Sequence, residues 1–328
     1  MGFRTGRKYA ITWCKKAENY SYVKALECYD EAIKRDPTFA KPWYEKGKIF
    51  AGSGEMPKSW MWCHVISPYI TGRPAPPYPE EGPMPSKYGE TLKMFNKATE
   101  LDPKFVDAWF AKGDFYSHYN YGSSASIECY DNVIALDSKY EPAWYGKAEA
   151  LAKLGKHKEV IKCCDKAISL LPTNTKGMHT DDNNYYYSSR WYRKANALSA
   201  LGKHKEAIKC YDEALEMETS RKGHIFGMKG ITLAKLGKHK EAIKCYNKAD
   251  EDNAQINLAK ADALSELGES VSGETPFKYY SLAIRSYTDK LFADKNNPVE
   301  YGDWAEVVTN LQETCSQALN GFKKFDDQ

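Results

Sequence analysis

The sequence predicts an all-α solenoid of stacked helix pairs, and three observations predict it. First, three segments nearly copy one another: LAKLGKHKEVIKCCDKAISL from Leu151, LSALGKHKEAIKCYDEALEM from Leu198 and LAKLGKHKEAIKCYNKADED from Leu233. Second, the equivalent glycines Gly202 and Gly237 lie 35 residues apart, a period that marks a repeat array. Third, upstream of each copy runs a stretch with small residues at fixed spacing: AWYGKAEAL from Ala143, RWYRKANAL from Arg190 and IFGMKGITL from Ile225. Each unit is therefore helix, turn, helix, with small residues where two axes cross at roughly 8 to 10 Å.

Composition fits a folded protein. Of 328 residues, 42% are hydrophobic and 28% charged, and the mean hydropathy is -0.66, which excludes a disordered tail. Such a length would ordinarily split into two domains, but a repeat array escapes that limit, and the sequence is read as a single solenoid over 1–328. The 47 basic and 44 acidic side chains leave a charge of +3, too little to make a nucleic-acid backbone the default partner. Nine cysteines without a CxxC pair suggest neither a disulfide framework nor a zinc ribbon, and fit a reducing compartment. No stretch approaches the ~20 apolar residues of a membrane span. The N-terminus lacks the apolar core of a signal peptide, and Gly6 stands where a myristoylation motif needs Ser or Thr. The expected location is cytoplasmic.

The pattern W-x2-L-G-x2-Y, then A-x3-F-x2-A and a final P, can be laid along most of the chain. Trp144, Ala148, Leu151, Gly155, Cys164, Ala167 and Pro172 follow it, with Val160 replacing the usual alanine. Trp191, Ala195, Leu198, Gly202, Ala207, Tyr211 and Ala214 form the next unit, and Phe226, Gly230, Leu233, Gly237, Ala242, Tyr246 and Ala249 the one after. On these residues the chain resembles the tetratricopeptide-repeat family. A weaker first unit carries Tyr9, Trp13, Ala25, Tyr29, Ala32 and Pro37. The second opens with Trp43, Gly47, Phe50 and Gly54, and its partner helix is displaced to Thr91, Phe95, Ala98 and Pro103. A third carries Trp109, Gly113, Tyr116, Tyr130 and Val133, and a degenerate seventh Ala261, Leu264, Gly268, Tyr280 and Ala283. The resemblance implies a right-handed superhelix of about seven repeats. One pair cannot bury its apolar stripe alone, so stacked neighbours supply the core and the last needs a lid, which Trp304, Val308, Leu311, Leu319 and Phe322 near helical spacing suggest as a capping helix over 298–324.

Two insertions break the pattern. The segment 55–86 holds eight of the fifteen prolines, including RPAPPYPEEGPMP, which favours extended or polyproline II backbone. It is either a stiff surface loop whose Trp60, Met61 and Trp62 pack on neighbouring helices, or a ligand for a proline-recognising module. The second, 173–187, is polar and then aromatic. Its Asp181, Asp182, Asn183 and Asn184 lack the alternate spacing and terminal glutamate of a calcium loop.

Nothing in the sequence resembles an active site: nucleotide loops, nucleophile elbows, HExxH and paired catalytic carboxylates are all missing, so no enzyme, cofactor or metal is expected. His157, His204 and His239 occupy the same place in successive GKHKE turns, so the repeat spaces them along one edge instead of gathering them on one ion. Cys28, Cys129, Cys163, Cys210 and Cys245 recur likewise and suit the edge of a core.

In the family that this chain resembles, the first helices line a concave groove that takes ligands. Directly after the signature Trp come Tyr44, Phe110, Tyr145 and Tyr192, and four residues later, on the same helical face, Lys48, Asp114, Glu149 and Asn196. That aromatic stripe edged by mixed charge, with Arg193, is the candidate peptide-binding site; the rings serve either as anchors for a partner or as spacers between repeats. The clamp of Lys, Asn and Arg with which some family members hold a C-terminal carboxylate is not matched: Ala10, Cys14, Tyr145 and Glu149 stand at its opening positions, and only Arg193 and Asn196 suit it. The expected function is a protein-protein interaction scaffold that holds a partner peptide or helix. The alternatives are a self-associating assembly subunit and, less favoured by charge, an RNA-binding repeat protein.

Overall fold

The computed structural model describes residues 2–20, 22–51, 86–118, 123–171, 181–218, 222–250, 253–267, 276–293 and position 316. Regular structure among them is entirely helical, and they fall into two compact units, residues up to Lys156 and residues from His157. The first holds α1 (Gly2–Ala17), α2 (Tyr22–Arg35), α3 (Ala40–Phe50), α4 (Ser86–Leu101), α5 (Val106–His118), α6 (Ser123–Leu136) and α7 (Glu141–Lys153). The second holds α8 (His157–Leu170), α9 (Asp181–Ala200), α10 (His204–Met217), α11 (Lys222–Lys235), α12 (His239–Tyr246), α13 (Ala254–Leu267) and α14 (Pro276–Ala293). The insertion 55–85 and the expected capping helix 298–324, apart from Ser316, lie outside the described residues. Of the stretch 173–187, residues 181–187 are the first turns of α9.

Helix pairing follows the repeat. In the first unit α1 packs on α2, α3 on α4 and α5 on α6, while α2 meets α3, α4 meets α5 and α6 meets α7. In the second, α9 pairs with α10, α11 with α12 and α13 with α14, and α8 meets α9, α10 meets α11, α12 meets α13. The core is a row of small residues and aromatic rings, as in Ala195, Leu198, Ala207, Tyr211 and Ala214 of the α9–α10 pair. Burial of these side chains, at about 25 cal/mol per Å² of apolar surface, is the main driving term.

Small residues sit where rings must enter. Tyr130 of α6 lies against Gly113 of α5 and Gly146 of α7; a Cβ at Gly146 would fall 2.6 Å from the tyrosine Cζ, and one at Gly113 2.9 Å from its Cε1. Either distance is shorter than contact allows. The described cysteines, Cys14, Cys28, Cys129, Cys163, Cys164, Cys210 and Cys245, are all buried, and burial pushes the Cys164 thiol up to about 12, which makes these sulfurs packing groups and not nucleophiles.

Three features build the turns between helices. After α2, α4 and α6 the side chains of Asp36, Asp102 and Asp137 accept backbone N–H bonds two residues on, at 3.0, 3.0 and 2.9 Å, the turn chemistry typical of aspartate. The indole N–H of Trp43, Trp109 and Trp144 then donates to the carbonyls of Pro37, Pro103 and Ser138 in those turns, at 3.2, 3.0 and 3.0 Å. The signature tryptophan thus fixes the entry angle of each first helix. Lysines three residues after the signature aromatic reach back to an aspartate on the preceding second helix: Lys46 to Asp30 at 2.5 Å, Lys147 to Asp131 at 2.5 Å, Lys194 to Asp165 at 2.7 Å, and Lys229 to Asp212.

First helices end at glycine. Gly155, Gly202 and Gly237 have φ of 67°, 76° and 73°, and the residue after each bonds back to the carbonyl of Leu151, Leu198 or Leu233 at 2.9–3.0 Å, closing a Schellman turn. A Cβ at Gly202 would meet nothing within 4 Å, so its requirement is purely conformational. Gly202→Ala should therefore destabilise the second unit by about 1–2 kcal/mol through backbone strain alone, and Gly202→Asn by less, since Asn tolerates the left-handed region; urea denaturation of the three proteins checks the order.

Candidate functional site

The aromatic residues singled out in the sequence occupy equivalent places on first helices, and each is half-buried. In the first unit Tyr44 of α3 packs edge-on against Phe105 at 5.0 Å between centroids and leans on Phe95 at 6.4 Å. Phe110 of α5 meets Tyr130 at 5.9 Å and Tyr140 at 5.2 Å. Both rings thus rest between the aromatic of their own second helix and the aromatic of the turn that follows. In the second unit Tyr192 of α9 lies between Tyr211 at 6.1 Å and His224, in the first turn of α11, at 5.1 Å, and its hydroxyl contacts His224 Nε2. Burial lowers the pKa of His224, and the charge of Arg193 lowers it further against the opposing pull of Asp250. By this packing the three rings lie between successive repeats and keep part of their surface uncovered.

The polar residues four positions on are tied either to that ring or to the tyrosine of the paired second helix. Lys48 lies 4.9 Å from the Tyr44 centroid and pairs with Glu45 at 2.9 Å. Tyr145 of α7 donates its hydroxyl to Glu149 Oε1 at 3.1 Å. Asp114 accepts the hydroxyl of Tyr130 at 2.7 Å, and Asn196 accepts that of Tyr211 at 2.6 Å. Asp262 accepts from Tyr280 at 2.8 Å. The arrangement recurs in three repeats: Tyr130, Tyr211 and Tyr280 of second helices end on Asp114, Asn196 and Asp262 of first helices. Desolvation raises the Asp114 carboxyl to about 7, against the opposing Tyr130 hydrogen bond and with help from the charge of Glu149.

The repeat of Tyr246 lacks this arrangement. Tyr211 lies fifteen residues after its partner Asn196; fifteen residues before Tyr246 stands Ile231, which has no polar atom to offer. The Tyr246 hydroxyl, on a residue only 4% exposed, is buried without a hydrogen-bond partner among the described residues. Tyr246 is among the residues that line a recess of about 250 Å³ walled by α11, α12 and α13. Sequence reading missed this residue because the signal is a mismatch between two positions, visible only once Tyr211 and Asn196 are known to touch.

The three histidines begin α8, α10 and α12, one to each helix. Among the described residues no group of His, Cys, Asp or Glu could hold a metal ion, and no helix is long and apolar enough to cross a membrane.

Two family models match the sequence. One, described as a Domain of Unknown Function (DUF3856), covers residues 141–231; the other, described as Tetratricopeptide repeat, covers residues 223–251, which hold α11 and α12. No curated protein sequence matches this one. Among solved structures, a tetratricopeptide repeat protein from Parabacteroides merdae superposes with a TM-score of 0.56 at 12% identity, over 94% of this chain and 99% of that one. The pilF protein of Pseudomonas aeruginosa superposes with a TM-score of 0.50 at 12% identity, over 87% and 99%. These likenesses establish the fold.

Two outcomes are expected. Tyr246→Phe removes an unpaired hydroxyl and should leave stability unchanged or raise it by about 1 kcal/mol, whereas Tyr130→Phe breaks a made bond, strands Asp114 and should cost about 1–3 kcal/mol; thermal or urea unfolding separates them. The second concerns Asp114. Its carboxyl keeps its proton in the folded state to about pH 7 but loses it near its ordinary value of 3.8 when unfolded, so the folded state binds more protons across that window and its stability falls as pH rises through it. Asp114→Asn should abolish this fall, so the variant gains on the wild type between pH 4 and 7; parallel slopes for the two proteins would refute it.

Proposed function

We propose, on the premise that this chain is a tetratricopeptide-repeat protein, that it is a protein-interaction scaffold and holds a partner peptide or helix against the face of its first helices. The observation that carries this reading is the row of half-buried rings, Tyr44, Phe110 and Tyr145 on α3, α5 and α7, with Lys48, Asp114 and Glu149 one helical turn away. Packing against Phe105 and Tyr140 holds Tyr44 and Phe110 in place before any partner arrives. A ring so fixed presents contact area at little further entropic cost. Tyr192, Arg193 and Asn196 supply the same chemistry in the second unit. The reading needs no catalytic step, cofactor or metal; binding is by shape, ring stacking and hydrogen bonds.

Selection of a displayed random-peptide library on the wild-type chain, followed by calorimetric titration of the selected peptide, tests this. Tyr145→Ala should weaken that peptide by roughly tenfold or more, the typical loss at an aromatic anchor, with the unfolding transition of the first unit in place. An unchanged affinity would reject Tyr145 as an anchor, and failure to select any peptide would favour the alternative of a self-associating subunit, whose mass in solution would rise with concentration.

A further inference from the structure

Within the second unit, the turns into α10 and α12 and the starts of α8, α10 and α12 repeat one charge pattern. Residues 157–162, 203–209 and 238–244 read HKEVIK, KHKEAIK and KHKEAIK, eight lysines against three glutamates with no arginine. Lys158 and Lys162 of α8, Lys205 and Lys209 of α10, and Lys240 and Lys244 of α12 are all exposed. Four residues apart, the members of each pair share one face of their helix. The first helices α9, α11 and α13 touch one another directly, so these lysines belong to the outer row of helices and not to the row that carries Tyr192.

Nothing in the fold asks for this charge. Like charges at that spacing oppose a helix, and a cation in the first turn opposes the helix macrodipole. Lys203 pairs with Glu206 at 3.6 Å and Lys238 with Glu241 at 2.9 Å, but ion pairs this exposed add little. An apolar group accompanies the lysines. Leu201, directly before the turn glycine Gly202, is 37% exposed, and Leu236 stands half-buried in the same place before Gly237. Each turn therefore sets a leucine and a lysine on either side of a glycine with positive φ.

Three kinds of anionic partner can be weighed against this edge. A nucleic acid would meet the lysines but find in these segments no Phe, Tyr or Trp on which to stack a base, and no arginine to grip a phosphate with two N–H groups. An acidic peptide would gain only from exposed charge pairs, each worth little in water. An anionic bilayer meets both kinds of residue. The lysine stems lie along the interface with their ammonium groups among the headgroups, and the leucine enters the boundary of the acyl chains. Such a surface asks for no fixed spacing between charges, which suits lysines carried on separate helices.

We propose that the lysine edge of α8, α10 and α12 is a peripheral docking surface for an anionic lipid bilayer, held by its six paired lysines and by Leu201. No helix has to span the membrane. The proposal concerns second helices and stands apart from the peptide-binding reading of the first helices.

Sedimentation of the full chain with vesicles tests it, using phosphatidylcholine alone or equal parts phosphatidylcholine and phosphatidylserine. Binding to the mixed vesicles should saturate and should fall steeply as salt rises toward about 0.5 M, and neutral vesicles should bind little. Lys205→Glu, Lys209→Glu, Lys240→Glu and Lys244→Glu together should weaken binding by about a hundredfold or more. The same change at the exposed Lys8, Lys15, Lys104 and Lys139 of the first unit, which alters net charge equally, should cost far less. Leu201→Ser should weaken binding about fivefold. All these positions are exposed, so the helix content should be kept, which circular dichroism checks. Equal binding to neutral vesicles, no binding to either kind, equal loss from the two lysine sets, or an affinity untouched by Leu201→Ser would each overturn the proposal. Tighter binding of a single-stranded oligonucleotide than of the mixed vesicles would overturn it in favour of a nucleic acid. Tyr145→Ala should leave vesicle binding unchanged, so loss of peptide binding without loss of vesicle binding, or the reverse, shows which of the two readings has failed.

Discussion

The distance between neighbouring first helices is set by one contact, the ring of a second-helix aromatic seated among small residues. Tyr130 against Gly113 and Gly146, Tyr246 against Gly230 and Phe95 against Gly47 are instances of the same arrangement. With the rings in place, no Cβ can be added at these glycines without moving a neighbour, so the helix axes approach to a separation fixed by the thickness of an aromatic ring. The rest of each repeat follows from that spacing. Lysine and aspartate side chains span the joint between successive pairs only because the two helices lie at that distance, and exposed rungs of this kind add little stability on their own. The signature tryptophans are polar hinges as much as core residues, since each indole N–H fixes the turn that precedes its helix.

Much of this was legible in the sequence, for a physical reason in each case. Helix ends at Gly155, Gly202 and Gly237 could be read because only a residue without a Cβ takes a positive φ cheaply, and the crossing points could be read because small residues recur at the repeat period. Other features left no local signal. The start of α9 at Asp181 was hidden because DDNNYYY carries no proline, glycine or apolar period to mark it. The rungs between Lys46 and Asp30, or Lys194 and Asp165, join residues far apart in the chain, and nothing near either one announces its partner. The two roles considered for Tyr44, Phe110 and Tyr192, spacer or anchor, are not exclusive: the rings do pack between repeats, and it is that packing which makes their outward surface rigid.

The polar residues beside those rings have a role in the structure that the sequence does not announce. Register leads one to expect Asp114 and Asn196 along a groove; in the structure each ends a tyrosine hydroxyl of the second helix. A core ring and a surface polar group are therefore one unit, and a change at the surface position is felt by a buried hydroxyl. Desolvation, helped by the charge of Glu149, is what keeps the proton on Asp114, while the hydrogen bond from Tyr130 works against it.

The coupling of ring and polar group also lets the chemistry of the first helices vary while the spacing of the array is kept. The ring sets the spacing, and spacing tolerates no change; the group that ends the hydroxyl sets the chemistry of the face, and it can be acidic, amide or absent without touching the ring. In this chain the three states occur at Asp114, Asn196 and Ile231. Where the group is acidic or amide the repeat is complete in itself. Where it is absent the repeat keeps a buried hydroxyl with no partner among the described residues, which costs stability instead of supplying it, so the ring is held there by its packing on Gly230 and not by a polar end.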